Sequence, residues 1–334
     1  MIKNIVKWGF LLFLIIATIF ILRRHQQNIN ANDVPFQENR GQIFGTQYCV
    51  IYASKEDYAT NIHEILNSVD ASLSLFNKNS TLSKVNRGET NILDAYMKEV
   101  LMLAQYVSTK TNGAFDCTVA PAVNTWGFGF ENRKFITPAV IDSLRDIIGY
   151  EKIHIVNDSI IELDDHRMNL DFGAIAKGFA VDKIAEFLSS KQIDNYMVEI
   201  GGEIIAHGFN KEGKAWKIGI QNPNNTGFSQ ILNVTDQAMA TSGNYLNYYV
   251  NEKGERVAHT IDPKTAQPVA HTLLSATVIA PTCAMADAFA TAFMVLGLEK
   301  SKLVLENNPQ LKAYLIYSDG DDIKQFSWNL EGEF

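Results

Sequence analysis

The sequence predicts an α+β fold built on antiparallel sheet. Several long segments carry apolar residues at three- and four-residue spacing, as helices with one buried stripe do. Others are short, β-branched and alternating, as strands are. The two kinds do not alternate one for one. Several strands are sequence neighbours joined by tight turns, which disfavours a doubly wound parallel sheet.

Each element follows from its residues. Positions 33–42 are polar and read as a linker, and FGTQYCVIYA (44–53) reads as a strand. Ile62, Ile65, Leu66, Val69 and Leu73 mark a helix. A second helix is expected over about 92–109, with Leu93, Met97, Val100, Leu101, Ala104 and Val107 on one stripe. KIHIVNDSIIEL (152–163) reads as a hairpin turning at Asn157-Asp158. WKIGIQNP (216–223), SATVIAP (275–281) and AYLIYSD (313–319) are further strands. Helices are expected near 138–148, 176–190, 284–297 and 299–307. No internal repeat or low-complexity tract interrupts the chain, so 43–334 reads as one functional unit.

The composition is that of a globular protein: 334 residues, 46% hydrophobic, with 8 prolines and 3 cysteines. Disordered, collagenous and disulfide-framework chains are excluded. The formal charge is −8, but its distribution is uneven. Residues 1–32 contain Lys3, Lys7, Arg23 and Arg24 and no acid. Removing those four from the 29 basic residues leaves 25 against 37 acids, or −12. An acidic domain of this kind argues against nucleic acid as a partner.

Between Lys7 and Arg23-Arg24 lies an uncharged apolar run, WGFLLFLIIATIFIL (8–22). As a helix it spans roughly 22 Å, and Ile2, Ile5 and Val6 extend it towards the ~30 Å hydrocarbon layer. The segment fits an uncleaved signal anchor, a cleaved secretory signal or a buried helix. A small-residue cleavage site is weak, which favours the anchor, with the domain on the exported side. The cysteines Cys49, Cys117 and Cys283 are unclustered, so they form neither a zinc site nor a CxxC pair. Cys117, among small and apolar neighbours, is expected to be a buried thiol.

Two segments stand out chemically. In DFGAIAKGFAVD (171–182), Gly173 and Gly178 bracket small residues where a helix begins. Close backbone approach, amide N–H groups at a helix start and the Lys177 cation suit a phosphate, although a tightly packed helix cap explains the spacing equally well. The segment is neither a Walker nor a Rossmann pattern. In AMADAFATAFMVLGL (284–298), Asp287 and Thr291 sit four apart on an apolar helix. A carboxylate there is costly unless paired or bound to a cation, and a carboxylate with a hydroxyl suits Mg²⁺. A helix-start Asp with a back-bonded Thr is the plain alternative. His259, in HTIDP (259–263), can take a proton near neutral pH, or can make a structural hydrogen bond.

Together these segments resemble the FAD:protein FMN transferase family (ApbE family). The matches are Gly45-Thr46, SLFNKNS (74–80), LSKVN (82–86), TNGAFD (111–116), WGFG (126–129), DFGAIAKG (171–178), GGEI (201–204), TSGNY (241–245), HTIDP and DAFAT (287–291). They run in order over almost all of the exported domain. The resemblance implies a bilobal α+β fold with antiparallel sheets and packed helices, FAD and Mg²⁺ lying in the cleft between the lobes. The implied reaction moves the FMN half of FAD to a Thr or Ser hydroxyl of an acceptor protein and releases AMP. By position, the Ala174 carbonyl with the Asp287 and Thr291 side chains holds the metal. Phe44, Phe76, Ala114, Phe115, Asp116, Asp171, Lys177 and Ile261 line FAD, and His259 is the catalytic histidine. Acceptors carry a segment like D-x-x-[ST]-[GS]-A-[ST], as in subunits of membrane NADH:quinone reductase and related electron-transport complexes. The implied setting is the periplasmic face of the inner membrane.

Four departures accompany the match. Phe44 stands where Met is frequent, Asn244 where an acid is usual, and Ala266 where Gly is common. A turn needing φ > 0 at Ala266 would cost on the order of 1 kcal/mol. No lipoprotein cysteine follows the apolar run. FAD hydrolysis to FMN and AMP, or flavin storage without catalysis, are the alternative functions. Ser275-Ala276-Thr277 copies the end of the acceptor pattern, but His271 and Leu274 break it, so self-flavinylation is not expected.

Overall fold

The computed structural model describes residues 34–129, 135–223, 227–244, 248–250 and 256–332. The expected anchor, 1–32, lies outside the described residues. Among the described helices none is long and apolar enough to cross a membrane.

Eight strands form one antiparallel sheet, in the order β1 (Phe36–Ile43), β2 (Thr46–Ala53), β5 (Tyr196–Ile200), β6 (Glu203–His207), β9 (Gln237–Gly243), β14 (Leu273–Ala280), β15 (Lys312–Asp319) and β16 (Asp322–Trp328). The long excursion between β2 and β5 supplies six of the described helices, α1 (Ala59–Leu73), α2 (Thr81–Asn86), α3 (Ala95–Lys110), α4 (Ala120–Thr125), α5 (Pro138–Ile147) and α6 (Ala176–Ser190). It also carries the ribbon β3 (Ile153–Val156)–β4 (Ile160–Leu163), and α7 (Cys283–Glu306) follows β14.

Both faces of the sheet are covered. Ala313 and Leu315 of β15 enter the main core with α1, α3, α6 and α7. The alternate residues Tyr314 and Ile316 pack on the other face against the ribbon β7 (Trp216–Gln221)–β8 (Phe228–Val234). Burial on both sides explains why such a strand reads as a continuous apolar run. A smaller cluster, built from Ala122, Leu144, Ile148, Ile261 and Ala266, gathers α4, α5 and the short ribbon β12 (Ile261–Asp262)–β13 (Gln267–Pro268). The ligand cleft lies between this cluster and the main core.

Local signals set the boundaries. Asp94 accepts from the Met97 amide at 2.9 Å to open α3, and Thr137 and Thr282 cap α5 and α7 in the same way. Asn157 and Asp158 take φ of 50° and 65°, the left-handed pair that a tight hairpin requires. Helix α7 breaks at Gly297 (φ 72°), matching the expected division into two helices. At the break the His271 ring donates from Nε2 to the Met294 carbonyl at 2.8 Å. All three cysteines are buried free thiols, as expected for Cys117.

The linker expectation for 33–42 is corrected. Phe36–Ile43 is a full strand, paired along its length with β2. Its residues are polar because it is the sheet's edge: Glu38 and Arg40 face solvent, where charge blocks further strand pairing. The turn between the strands is made by Phe44 and Gly45, at φ of 53° and 74°. A bulky residue at positive φ costs about 1–2 kcal/mol, so Phe44 is held there by its surroundings.

Candidate active site

The cleft has a volume of about 490 Å³. Ala174, Lys177, Glu203, Asp287 and Thr291 wall it from the main core, and Val119, Val123, Phe128, His259 and Ile261 from the smaller cluster. A second cavity of about 180 Å³ shares Asp171, Gly173 and Lys177 with it and is closed by Phe44, Leu73 and Phe76. Phe76 is 82% exposed and lines the rim of this cavity. The structure therefore brings all twelve predicted residues to two adjoining cavities. A groove of about 710 Å³ adjoins the first of them at Asp116 and Pro263 and contains no predicted residue besides Asp116.

Lys177 lies in the first turn of α6, where its Nζ meets Glu203 Oε1 at 2.8 Å and Asp287 Oδ2 at 4.0 Å. Burial alone would lower the Lys177 ammonium, but Asp287 and Glu203 hold it above its ordinary value. Burial pushes the Glu203 carboxyl up, Asp287 adds to this, and Lys177 opposes it. Asp287 is likewise raised by burial, against Lys177 and the Gly178 amide, which donates to Oδ2 at 3.2 Å. Two buried acids thus share one ammonium. Glu203 Oε2 is buried and accepts no hydrogen bond among the described residues. Thr291 completes the corner, its hydroxyl 3.1 Å from that of Ser242.

This corner fits a hard cation: apart from the Lys177 ammonium its polar groups are oxygens, one buried carboxylate oxygen has no partner among the described residues, and burial makes the excess negative charge costly. No group of three or more His, Cys, Asp or Glu suited to a metal occurs among the described residues, so a cation here would draw on hydroxyl and carbonyl oxygens as well. Glu203 was not predicted as a site residue. Its signal was present in GGEI: an acid entering an otherwise apolar strand directly after a glycine pair.

The helix-start amides are less available to an anion than the sequence suggested. Ala176 N–H donates to the Phe172 carbonyl at 2.8 Å, and Gly178 N–H is taken by Asp287. Asp116 is also committed internally. Its carboxylate accepts from Thr118 N and Thr118 Oγ1 (2.8 and 2.7 Å) and from Tyr150 N (2.8 Å), pinning the 149–151 turn to the cleft wall. Asp116→Asn should therefore cost about 1–3 kcal/mol through the donors it strands. A urea midpoint indistinguishable from wild type would contradict that.

His259 follows β11 (Arg256–Ala258), which pairs with β10 (Tyr248–Val250). The Phe128 ring stands edge-on to His259, with centroids 6.4 Å apart, and stacks on Tyr249 at 5.3 Å. Next to His259, Thr260 Oγ1 donates to Asn244 Oδ1 at 2.6 Å. A lysine between two buried acids, a hydroxyl one helical turn from one of them, and a histidine across the cleft are suited to charge neutralisation and proton transfer at a phosphate.

The profile of the ApbE family matches residues 44–315. The chain belongs to the ApbE family. A relative from Haemophilus influenzae, named FAD:protein FMN transferase, is 41% identical over 295 residues, covering 83% of this chain and 85% of its own. One of the same name from Vibrio cholerae is 35% identical over 300 residues, covering 86% and 89%. Among solved structures, the flavin transferase ApbE from Vibrio cholerae superposes with a TM-score of 0.80 at 34% identity, over 89% of this chain and 98% of its own. The apo flavinyl transferase ApbE of Pseudomonas stutzeri gives 0.81 at 29% identity, over 89% and 96%. The expected α+β fold is thus that of the ApbE family, whose members named here are transferases.

The departures from the ApbE pattern now have places. Asn244 ties the end of β9 to the His259 loop through Thr260, a role that needs an acceptor oxygen and no charge. Ala266 takes φ 54° in a buried turn, its carbonyl accepting from Trp126 Nε1 at 2.9 Å. It bears the strain of roughly 1 kcal/mol that a glycine would avoid.

Proposed function

We propose that this chain transfers the FMN half of FAD to a threonine or serine hydroxyl of an acceptor protein, with Mg²⁺, and releases AMP. The observation that carries the reading is the pair of buried carboxylates, Asp287 and Glu203, facing the single ammonium of Lys177 beside the Thr291 hydroxyl. FAD carries a pyrophosphate, and cleaving one is a problem of positioning and charge neutralisation.

The two cavities divide the substrate. Phe44 and Phe76 offer aromatic faces at one end, and Ala114, Phe115, Asp116 and Ile261 line the other. Lys177, shared by both cavities, lies where the pyrophosphate would bridge them. Asp287, Thr291 and the Ala174 carbonyl would hold Mg²⁺, which when bound offsets phosphate charge and favours departure of the leaving group. His259 accepts the proton of the acceptor hydroxyl as its oxygen attacks the FMN phosphorus. The bond from that phosphorus to the bridging oxygen breaks, and AMP departs with the oxygen. Glu203 fixes the Lys177 ammonium. The acceptor is a protein carrying a D-x-x-[ST]-[GS]-A-[ST]-like segment, of the kind found in membrane NADH:quinone reductase subunits. The chain works on the periplasmic side of the inner membrane, anchored through 1–32. Its own Ser275 and Thr277 are 1% exposed within β14, which supports an acceptor in trans.

Incubating the purified chain with FAD, Mg²⁺ and a protein bearing that segment should add one FMN to the acceptor, read by intact mass. FMN released only into solution would instead establish hydrolysis.

A further inference from the structure

Asp182 is buried, lies on α6 outside the residues assigned above, and spends its carboxylate on another helix. One oxygen accepts from the Cys283 amide at 2.7 Å and the other from the Ala284 amide at 2.8 Å. These are the first two residues of α7, the helix that carries Asp287 and Thr291. Burial pushes the Asp182 carboxyl up to about 7, against the pull of the two amides, so this placement is costly to maintain.

Gly178 and Asp182 are four apart on α6 and so face the same way. Gly178 meets the same turn of α7: a Cβ there would lie 2.4 Å from the Cys283 carbonyl oxygen. One helical turn beyond Cys283, Asp287 Oδ2 accepts a hydrogen bond from the Gly178 amide. The two helices are thus joined at both ends of a short ring, with Asp182 at one end and Asp287 at the other. Lys177 belongs to the α6 side of that ring, and Thr291 lies one further turn along α7.

We propose that Asp182 is a positioning residue for the metal corner, fixing the first turn of α7 so that Asp287 and Thr291 stay in register with Lys177. The role rests on the metal reading given above. It differs from an ordinary helix cap because that cap is already present: Thr282 Oγ1 accepts from the Met285 amide. Asp182 instead anchors α7 laterally to α6. Releasing one of its amides lets the first turn of α7 shift, and Asp287 shifts with it. A misplacement of this kind at the reacting centre costs rate without touching the FAD walls.

The test compares full-length wild type, Asp182→Asn and Thr282→Ala. An asparagine oxygen can accept one of the two amides, while its NH₂ opposes the other. Asp182→Asn is expected to raise the Mg²⁺ concentration for half-maximal FMN transfer by ~10–100-fold and to lower kcat by a similar factor, with KM for FAD little changed. Its Tm should rise less than that of wild type when Mg²⁺ is added at fixed FAD, a readout independent of turnover. Thr282→Ala, which removes only the cap, is expected to lower Tm while keeping the wild-type Mg²⁺ requirement. If Asp182→Asn does no more than Thr282→Ala, the proposal is overturned. Should the asparagine variant not fold, Asp182→Ser, whose hydroxyl keeps one amide, is read the same way, and an unchanged Mg²⁺ requirement there overturns it too. A wild-type chain that transfers FMN equally well without Mg²⁺ would bring down the metal reading itself.

Discussion

Asp287→Asn is expected to lower FMN transfer by about 10³-fold at saturating FAD, with the fold intact. The substitution removes the one charged side chain among the proposed metal ligands. It leaves Lys177 and Glu203 as a neutral pair at 2.8 Å, with no surplus charge to draw in a cation. The fold should survive because an asparagine oxygen can still accept the Gly178 amide. Burial disfavours the Asp287 carboxylate in the metal-free protein, so the variant should be at least as thermostable as wild type without Mg²⁺. Turnover by intact mass, and Tm with and without Mg²⁺, test both halves. A variant keeping more than a tenth of wild-type turnover at low Mg²⁺ would remove Asp287 from the metal site.

The second large effect belongs to a residue without a side chain. Gly178→Ala places a Cβ 2.4 Å from the Cys283 carbonyl oxygen, 2.6 Å from its carbon and 2.7 Å from Ala284 Cα. All three are backbone atoms and cannot rotate aside, so α6 and α7 have to separate. In an exposed helix the same change would stabilise by about 1 kcal/mol. Here the overlap should reverse the sign and destabilise by roughly 1–3 kcal/mol net. The separation also pulls the Gly178 amide from Asp287, so activity should fall by ~10²-fold even in the folded fraction. Urea denaturation and turnover of the same preparation measure the two terms. A wild-type midpoint would mean that the helices are not in close contact.

The two variants also show how unevenly the site was written into the sequence. Asp287 and Thr291 announced themselves because a carboxylate on an apolar helix is expensive and the i,i+4 spacing puts both on one face. Gly178 and Lys177 stood out within a run of small residues at a helix start. Glu203 is less legible because one acid at the start of a strand, directly after a glycine pair, shows nothing local of its burial. Only the pairing of β6 with β5 and β9, and the packing of α6 above it, turn that position into a buried one. Asp182 is hidden for a related reason. An acid near the middle of a helix normally faces water, and nothing local shows that another helix begins against it. The edge strand β1 reads as a linker because its polarity answers to the sheet's need for a blocked edge, not to its own backbone preference.

Helices, strands, turns and caps were legible because they depend on residues within four positions of one another. The ligand class was legible because ordered motifs carried the ApbE resemblance over most of the chain. Charge relations belonged to the tertiary structure alone. Lys177 is 26 residues from Glu203 and 110 from Asp287, yet one ammonium serves both carboxylates. Coulomb attraction and the cost of desolvation depend on distance and burial, and neither quantity has any expression in sequence spacing.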